Sequence, residues 1–398
     1  MKKSLFAIAA VTAFAGAAQA QSSVTVYGII DVGYLGNSAR VPATGSPAKS
    51  TNNQFGASAE TSSRLGFRGN EDLGGGLSAF FTLEVGVNPN QTNYTFNNRQ
   101  TFAGLAKKGV GAVSAGTQYT ALWLNSLNPT DPGAGNNVAG SIIRPVGVAG
   151  SDDGQGAQST AVTILTTNSL YAVTERMAGL RLGANYVMNG NDGTQRNTNT
   201  AATMAAASNG GSNNFTGYSL SADYTWKKLL VTAAYSSFKQ EQNSGLYATA
   251  ALINPTTPIM QNQTGNTNDA QMYAGAVYDF GILKAYAGYV NRKVSNGLNT
   301  NQYAKRSGQQ IGVRSFITPT IESWASAGTG SVRAFGASEP TANLVAYQLG
   351  TNYYLSKRTN LYGIVGHSQT SSVQGGTAVA TNQGAAITGY AIGVRHTF

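Results

Sequence analysis

The chain has 398 residues, a formal charge of +10, no cysteine, and charged side chains at only 11% of positions. Soluble domains typically carry about 25% charged residues, so an ordinary soluble surface is excluded, and so is a disulfide framework. The basic residues are scattered singly along the chain, which argues against a nucleic-acid patch.

Residues 1–20, MKKSLFAIAAVTAFAGAAQA, open with Lys2 and Lys3, continue in an apolar stretch and end in Ala18-Gln19-Ala20. This is the pattern of a secretory signal peptide with a small-residue cleavage site, so the mature chain is expected to begin at Gln21. Without the two lysines the formal charge is +8. No later stretch approaches the roughly 18 consecutive apolar residues that a membrane-spanning helix requires. An exported chain without a helical span is either soluble or a barrel.

The stretch 62–86, SSRLGFRGNEDLGGGLSAFFTLEVG, decides between them. Two alternating runs, 62–69 and 77–86, flank a polar, glycine-rich turn. Side chains on a strand alternate between its two faces. Leu65 and Phe67 therefore share one face and Arg64, Gly66 and Arg68 the other; on the return run Phe81, Leu83 and Val85 oppose Thr82 and Glu84. Charges inward and large apolar groups outward suit a barrel with lipid outside and water inside.

The same alternation recurs to the C-terminus. It predicts an all-β, sixteen-stranded antiparallel transmembrane barrel with strands near 23–34, 59–69, 77–87, 98–108, 111–120, 162–174, 179–189, 215–226, 229–239, 269–280, 281–294, 306–317, 320–332, 342–355, 359–369 and 385–398. Connections at 70–76, 109–110, 175–178, 227–228, 318–319 and 356–358 are short. Those at 36–58, 121–161, 190–214 and 240–268 are long and rich in Asn, Thr, Gly and Ser. Short turns at one rim and long loops at the other are the barrel's expected pattern. A β-solenoid would show a constant period, and none is present. In the last strand Tyr390, Ile392, Val394 and Phe398 point one way and Gly389, Ala391, Gly393 and Arg395 the other. A terminal aromatic of this kind is the assembly signal of outer-membrane barrels, and Phe398 is assigned that role.

Strand parity turns Arg64, Arg68, Arg99, Arg181, Lys284, Arg314 and Arg395 toward the lumen. On the lipid face near the midplane an arginine or lysine costs roughly 2–4 kcal/mol. Arginines along a water-filled pore offer successive weak stations to anions, and Glu84 and Asp131 would moderate the attraction. For Arg68, pairing with the turn acids Glu71 and Asp72 is the favoured reading.

Several linked segments resemble the trimeric general porins of β-proteobacteria, of the Neisseria, Comamonas and Burkholderia type. They are SSVTVYGIIDVGY at 22–34, the 62–86 hairpin, NRQTFAGLAKKGVGAVSAGTQYT at 98–120, AYQLGTNYYLSKRTNLYG at 346–363 and the terminal GVRHTF. The resemblance implies a homotrimer in the outer membrane of a Gram-negative bacterium. Its surroundings would be lipid and lipopolysaccharide, its insertion would depend on the barrel-assembly machinery, and small ions and solutes would diffuse passively through it. It also implies that the third outer connection, about 121–161, folds inward, carrying Asp131, Arg144, Asp152 and Asp153, and that Arg64, Arg99 and Glu84 are pore-wall residues. Tyr171 stands where the family commonly has an arginine, and Gly116-Thr117-Gln118 where many relatives have G-R-Q, so the anion preference should be mild.

No enzyme, metal site or cofactor is expected. The two histidines, His367 and His396, lie in no catalytic motif, and a hydrolase needs nucleophile, base and orienting group together. Asp152-Asp153 matches no calcium loop. Gly74–Gly76 lacks the phosphate-loop pattern. Two other functions are compatible with the sequence: a substrate-specific channel with Tyr119 and Trp123 as an aromatic slide, and a surface interaction barrel presenting its long loops.

Overall fold

The computed structural model describes residues 23–41, 48–90, 96–133, 138–144, 164–189, 214–241, 267–296, 303–335, 341–371 and 386–398. The signal peptide and Asp152-Asp153 lie outside the described residues. The strands, in chain order, are β1 (Ser23–Val41), β2 (Ala48–Ala57), β3 (Arg64–Gly74), β4 (Leu77–Gly86), β5 (Asn97–Lys107), β6 (Gly111–Tyr119), β7 (Leu165–Thr174), β8 (Leu180–Asn189) and β9 (Asn214–Trp226). They continue as β10 (Leu229–Glu241), β11 (Thr267–Asp279), β12 (Lys284–Asn296), β13 (Tyr303–Phe316), β14 (Ile321–Phe335), β15 (Thr341–Tyr354), β16 (Thr359–Thr370) and β17 (Ala386–Thr397). Each pairs antiparallel with its sequence neighbour, except that β2 and β3 both pair with β1 and not with each other, and β1 pairs with β17, which closes the sheet into a barrel.

β2 and β3 are two halves of one stave. Val32–Val41 of β1 pairs with β2 and Ser23–Ile29 pairs with β3, so seventeen segments make a sixteen-stranded barrel. Here the sequence reading needs correction. Residues 36–58 do not form one long loop; β1 and β2 extend as a hairpin through most of it. The strand expected at 59–69 starts instead at Arg64, after a break at 58–63. β3 also runs on to Gly74, which shortens the expected 70–76 turn. That turn is built on Gly74, Gly75 and Gly76 at φ +84°, +60° and +76°, a region that glycine enters without steric cost.

Asp31 organises the break. Its carboxylate, fully buried, accepts the Glu60 and Thr61 amides at 2.9 and 2.7 Å and the Tyr362 hydroxyl at 2.6 Å. Its own amide donates to Ser63 Oγ at 3.0 Å, and its carbonyl accepts the Ser58 amide at 2.9 Å. Beside it Glu60 accepts from Asn360 at 3.1 Å and pairs with Arg395 at 3.3 Å.

Burial is inverted relative to a soluble fold. Leu105, Leu182 and Leu220 are 52, 45 and 49% exposed on the outer face, whereas Asp223, Arg292 and Gln310 are at most 3% exposed on the inner one. The inverted arrangement is stable only where the outer face meets hydrocarbon and the sheet has no free edge.

Candidate functional site

The described part of the third outer connection lies against the inner wall. Tyr119 ends β6; a π-helical turn, Trp123–Leu127, and a 3-10 turn, Asn128–Thr130, follow. Backbone amides that the short turns leave unpaired find partners on the wall, as buried donors must. The Ala121 amide donates to Asn185 at 3.0 Å and the Leu122 amide to Ser219 at 3.0 Å. Asn125 Nδ2 donates to Tyr171 at 3.1 Å and to Ser221 at 2.8 Å. Tyr171, noted above as standing where the resembled family commonly has an arginine, thus anchors the connection. Thr130 and Tyr273 hydroxyls meet at 2.6 Å.

Further along, Arg314 Nη1 donates to the Pro132 carbonyl at 2.9 Å, and the Ile142 amide donates to Gln310 at 2.8 Å. Arg306 Nη1 donates to the Ile142 carbonyl at 3.0 Å, and the Gly140 amide to Ser368 at 3.0 Å. The described residues of the connection are therefore laid along the wall from β7 to β16. Its apolar side chains Leu122, Trp123, Leu127 and Ile143 form a small core with Ala234, Tyr273 and Val290 of that wall.

Two expectations change here. Asp131 does not stand free in the lumen: it is 5% exposed, sandwiched between connection and wall. Burial raises its carboxyl above the ordinary aspartate range, against the opposing pull of Arg144 and Arg314. Trp123 is not part of an aromatic slide: it is buried, with the Arg144 guanidinium 5.4 Å from its ring centroid.

The opposite arc, β1 and β3 to β6, carries a different arrangement. Arg64 and Arg99 both face Glu84, whose side chain is 3% exposed, with Arg99 Nε at 2.7 Å and Arg64 Nη1 at 3.8 Å. The Tyr27 hydroxyl donates to the other carboxylate oxygen at 3.1 Å. Arg99 Nη2 donates to the Tyr119 hydroxyl at 2.6 Å. Two guanidinium groups thus share one carboxylate, and the cluster keeps a net positive charge while both arginines stay partly open to the lumen.

Three other lumen arginines each meet a carboxylate of their own. Arg314 forms a two-pronged pair with Glu322, both contacts at 2.7 Å. Arg292, absent from the expected list, pairs with Asp269 at 3.0 and 2.5 Å. Arg395 is held by Glu60. At the short-turn rim Arg181 meets Asp223 at 2.8 Å, and Arg176 reaches the other oxygen of the same carboxylate. Lys284, exposed, lies at that rim. Arg68 corrects another expectation: it sits 5.4 Å over the Tyr27 ring, and among the described residues it makes no ion pair with Glu71 or Asp72. His396 is exposed near the same rim, its Nδ1 at 2.9 Å from the Thr359 hydroxyl.

Sequence reasoning missed Asp31, Glu60, Arg176, Asp223, Asp269, Arg292, Arg306 and Glu322. Inward parity of the charged residues was the available signal; their partners depend on register between strands. Among the described residues no group of three or more His, Cys, Asp or Glu is disposed to hold a metal.

Comparison with known proteins agrees with this geometry. The model of the Gram-negative porin family matches residues 7–372. An outer membrane porin protein of Bordetella pertussis is 26% identical and outer membrane porin protein 32 of Delftia acidovorans 28% identical, each alignment covering 100% of both chains. The solved anion-selective porin from Comamonas acidovorans superposes with a TM-score of 0.66 at 22% identity, over 95% of this chain and 100% of its own. A closed barrel with lipid-facing apolar residues, a charged lumen and a family match over nearly the whole length lead to one conclusion: this chain belongs to the Gram-negative porin family and forms a diffusion channel through the outer membrane.

Proposed function

We propose that the channel prefers anions, and that Arg64, Glu84 and Arg99 form the selective part of its wall. The observation that carries this reading is the two-to-one ratio of guanidinium to carboxylate in that cluster. Low-dielectric walls focus the field of the surplus charge and raise the local anion concentration. The structural neighbour from Comamonas acidovorans is itself described as an anion-selective porin. The Arg176, Arg181 and Asp223 cluster adds a second surplus at the rim. In this reading the third connection narrows the passage opposite Arg64 and Arg99, three copies assemble as a homotrimer in lipid and lipopolysaccharide, and Phe398 is read by the barrel-assembly machinery.

Purified protein in a planar bilayer under a KCl gradient tests the proposal. Conductance should rise linearly with salt, insert in steps of three, and show a reversal potential that favours chloride. A cation-favouring potential would overturn the selectivity reading; saturating conductance would point to a dedicated solute instead.

The narrowing role makes a separate prediction. Gln310 accepts from both the Ile142 amide and the Ser141 hydroxyl, at 2.8 and 3.3 Å. Gln310→Leu removes that acceptor and should raise single-channel conductance and current noise with barrel yield unchanged. Wild-type conductance and noise in the folded variant would mean that residues 138–144 do not limit the passage.

A further inference from the structure

We infer that Asp31, which is closed off from the lumen, is a positioning residue for anion selectivity, acting through the broken stave on Arg64. The inference rests on the reading of Arg64 as a pore-wall residue. The chain of contacts is short and continuous. The Asp31 carboxylate fixes the Glu60 and Thr61 amides, and its backbone grips Ser58 and Ser63, so the segment 58–63 is tied to β1 at four residues. Within the segment the Ser63 amide donates to Ser58 Oγ at 2.9 Å, and Ser58 holds a φ of +67°. For a serine that backbone conformation is uncommon and persists only when its surroundings hold it.

The same segment supplies two acceptors to Arg64. Its Nε donates to the Ser62 carbonyl at 2.9 Å and its Nη2 to the Thr61 hydroxyl at 3.2 Å. With those nitrogens held, only Nη1 is turned toward Glu84, at 3.8 Å. An arginine side chain carries several rotatable bonds and a planar fork of donors. Fixing two of its three nitrogens to the break keeps the charge at one place on the wall. An unbroken strand at 58–63 would leave no free carbonyl beside Arg64 to receive Nε. The break is thus the device that orients this arginine, and Asp31 is the group that keeps the break in shape.

The charge of Asp31 and its positioning role predict opposite signs, so one substitution separates them. Asp31→Asn removes a negative charge from the wall; if Asp31 acted through its own field, anion preference would rise. If it acts by holding Arg64, the loosened arginine loses its place and anion preference falls. We expect the chloride-to-potassium permeability ratio, from the reversal potential in a KCl gradient, to fall about twofold. Thr61→Val, which removes one Arg64 acceptor and leaves the Asp31 contacts in place, should lower the ratio in the same direction. This variant also decides the matter if Asp31→Asn does not assemble.

Both substitutions are repeated in an Arg64→Gln background, where neither should lower the ratio further. A rise or no change in either folded variant overturns the positioning role, as does a further fall in the Arg64→Gln background. If Arg64→Gln alone leaves the ratio at its wild-type value, the reading of Arg64 itself fails, and the inference falls with it.

Discussion

Replacing both wall arginines, Arg64→Gln with Arg99→Gln, should lower the chloride-to-potassium permeability ratio by about threefold, toward or past neutrality. The pair surrounds a single carboxylate, so its removal changes the cluster from net positive to net negative. Glu84→Gln should move the ratio the other way, because both guanidinium groups are then uncompensated. Opposite shifts from neighbouring substitutions are hard to obtain from a general loss of structure, which makes the pair a stringent test. Reversal potentials across a KCl gradient measure both. Equal potentials in all three proteins would remove this cluster from the selectivity mechanism. Charge reversal is the poorer experiment: two added carboxylates would crowd Glu84, which is 3% exposed. Three carboxylates at such close range repel one another, which the neutral glutamines avoid. The effect of either variant should shrink as salt rises from 0.1 M to 1 M, since the screening length falls from about 10 to about 3 Å.

Deleting Phe398 should sharply reduce the yield of closed barrel in the membrane. The residue sits on the seam where the last strand meets the first. Its amide donates to the Gly28 carbonyl and its carbonyl accepts the Gly28 amide, both at 3.1 Å. Two backbone hydrogen bonds contribute about 1 kcal/mol each in net stability, and within hydrocarbon an unpaired backbone group costs several kcal/mol. The Phe398 ring also lies over Gly28, where any side chain would overlap it; a Cβ there would come 2.7 Å from the Arg64 carbonyl as well. Gly28→Val should therefore reproduce the assembly defect with the terminal aromatic still present. The readout is the fraction of chain that migrates as folded, heat-modifiable barrel. Normal assembly of the truncated chain would dismiss both the seam contact and the signal role.

The strands were legible because each crosses hydrocarbon, where alternation of apolar and polar residues is imposed by the two solvents. From β4 onward the observed bounds fall within about three residues of the sequence reading. Legibility ended where that constraint ends. Residues 36–57 carry polar groups on both faces, as in AKSTNNQFGA, so a strand there leaves no apolar signature. The break at 58–63 was hidden for a different reason: it is specified by Asp31, Tyr362 and Asn360, the last two about 300 positions away in sequence. The site followed the same division. Inward parity identified Arg64, Glu84, Arg99 and Arg314. It could not say which carboxylate each would meet, because partners such as Asp223 and Glu322 are set by register between strands. Asp131 lies off the strands, where parity does not apply, and its burial between connection and wall was not legible in the sequence.

The described residues of the connection are fastened along β7 to β16, while the surplus positive charge stands on β3 and β5. On the reading proposed above, bore and sign are carried mainly by different parts of the wall. On that reading, changes at residues 141–144 would alter which solutes fit and exchanging Arg64 or Arg99 would alter which ions are drawn, whereas Val138, packed on Ala59 and Tyr362, touches both. For the design of such channels this means that sieving and polarity can be approached largely in turn, with Val138 the position to leave alone.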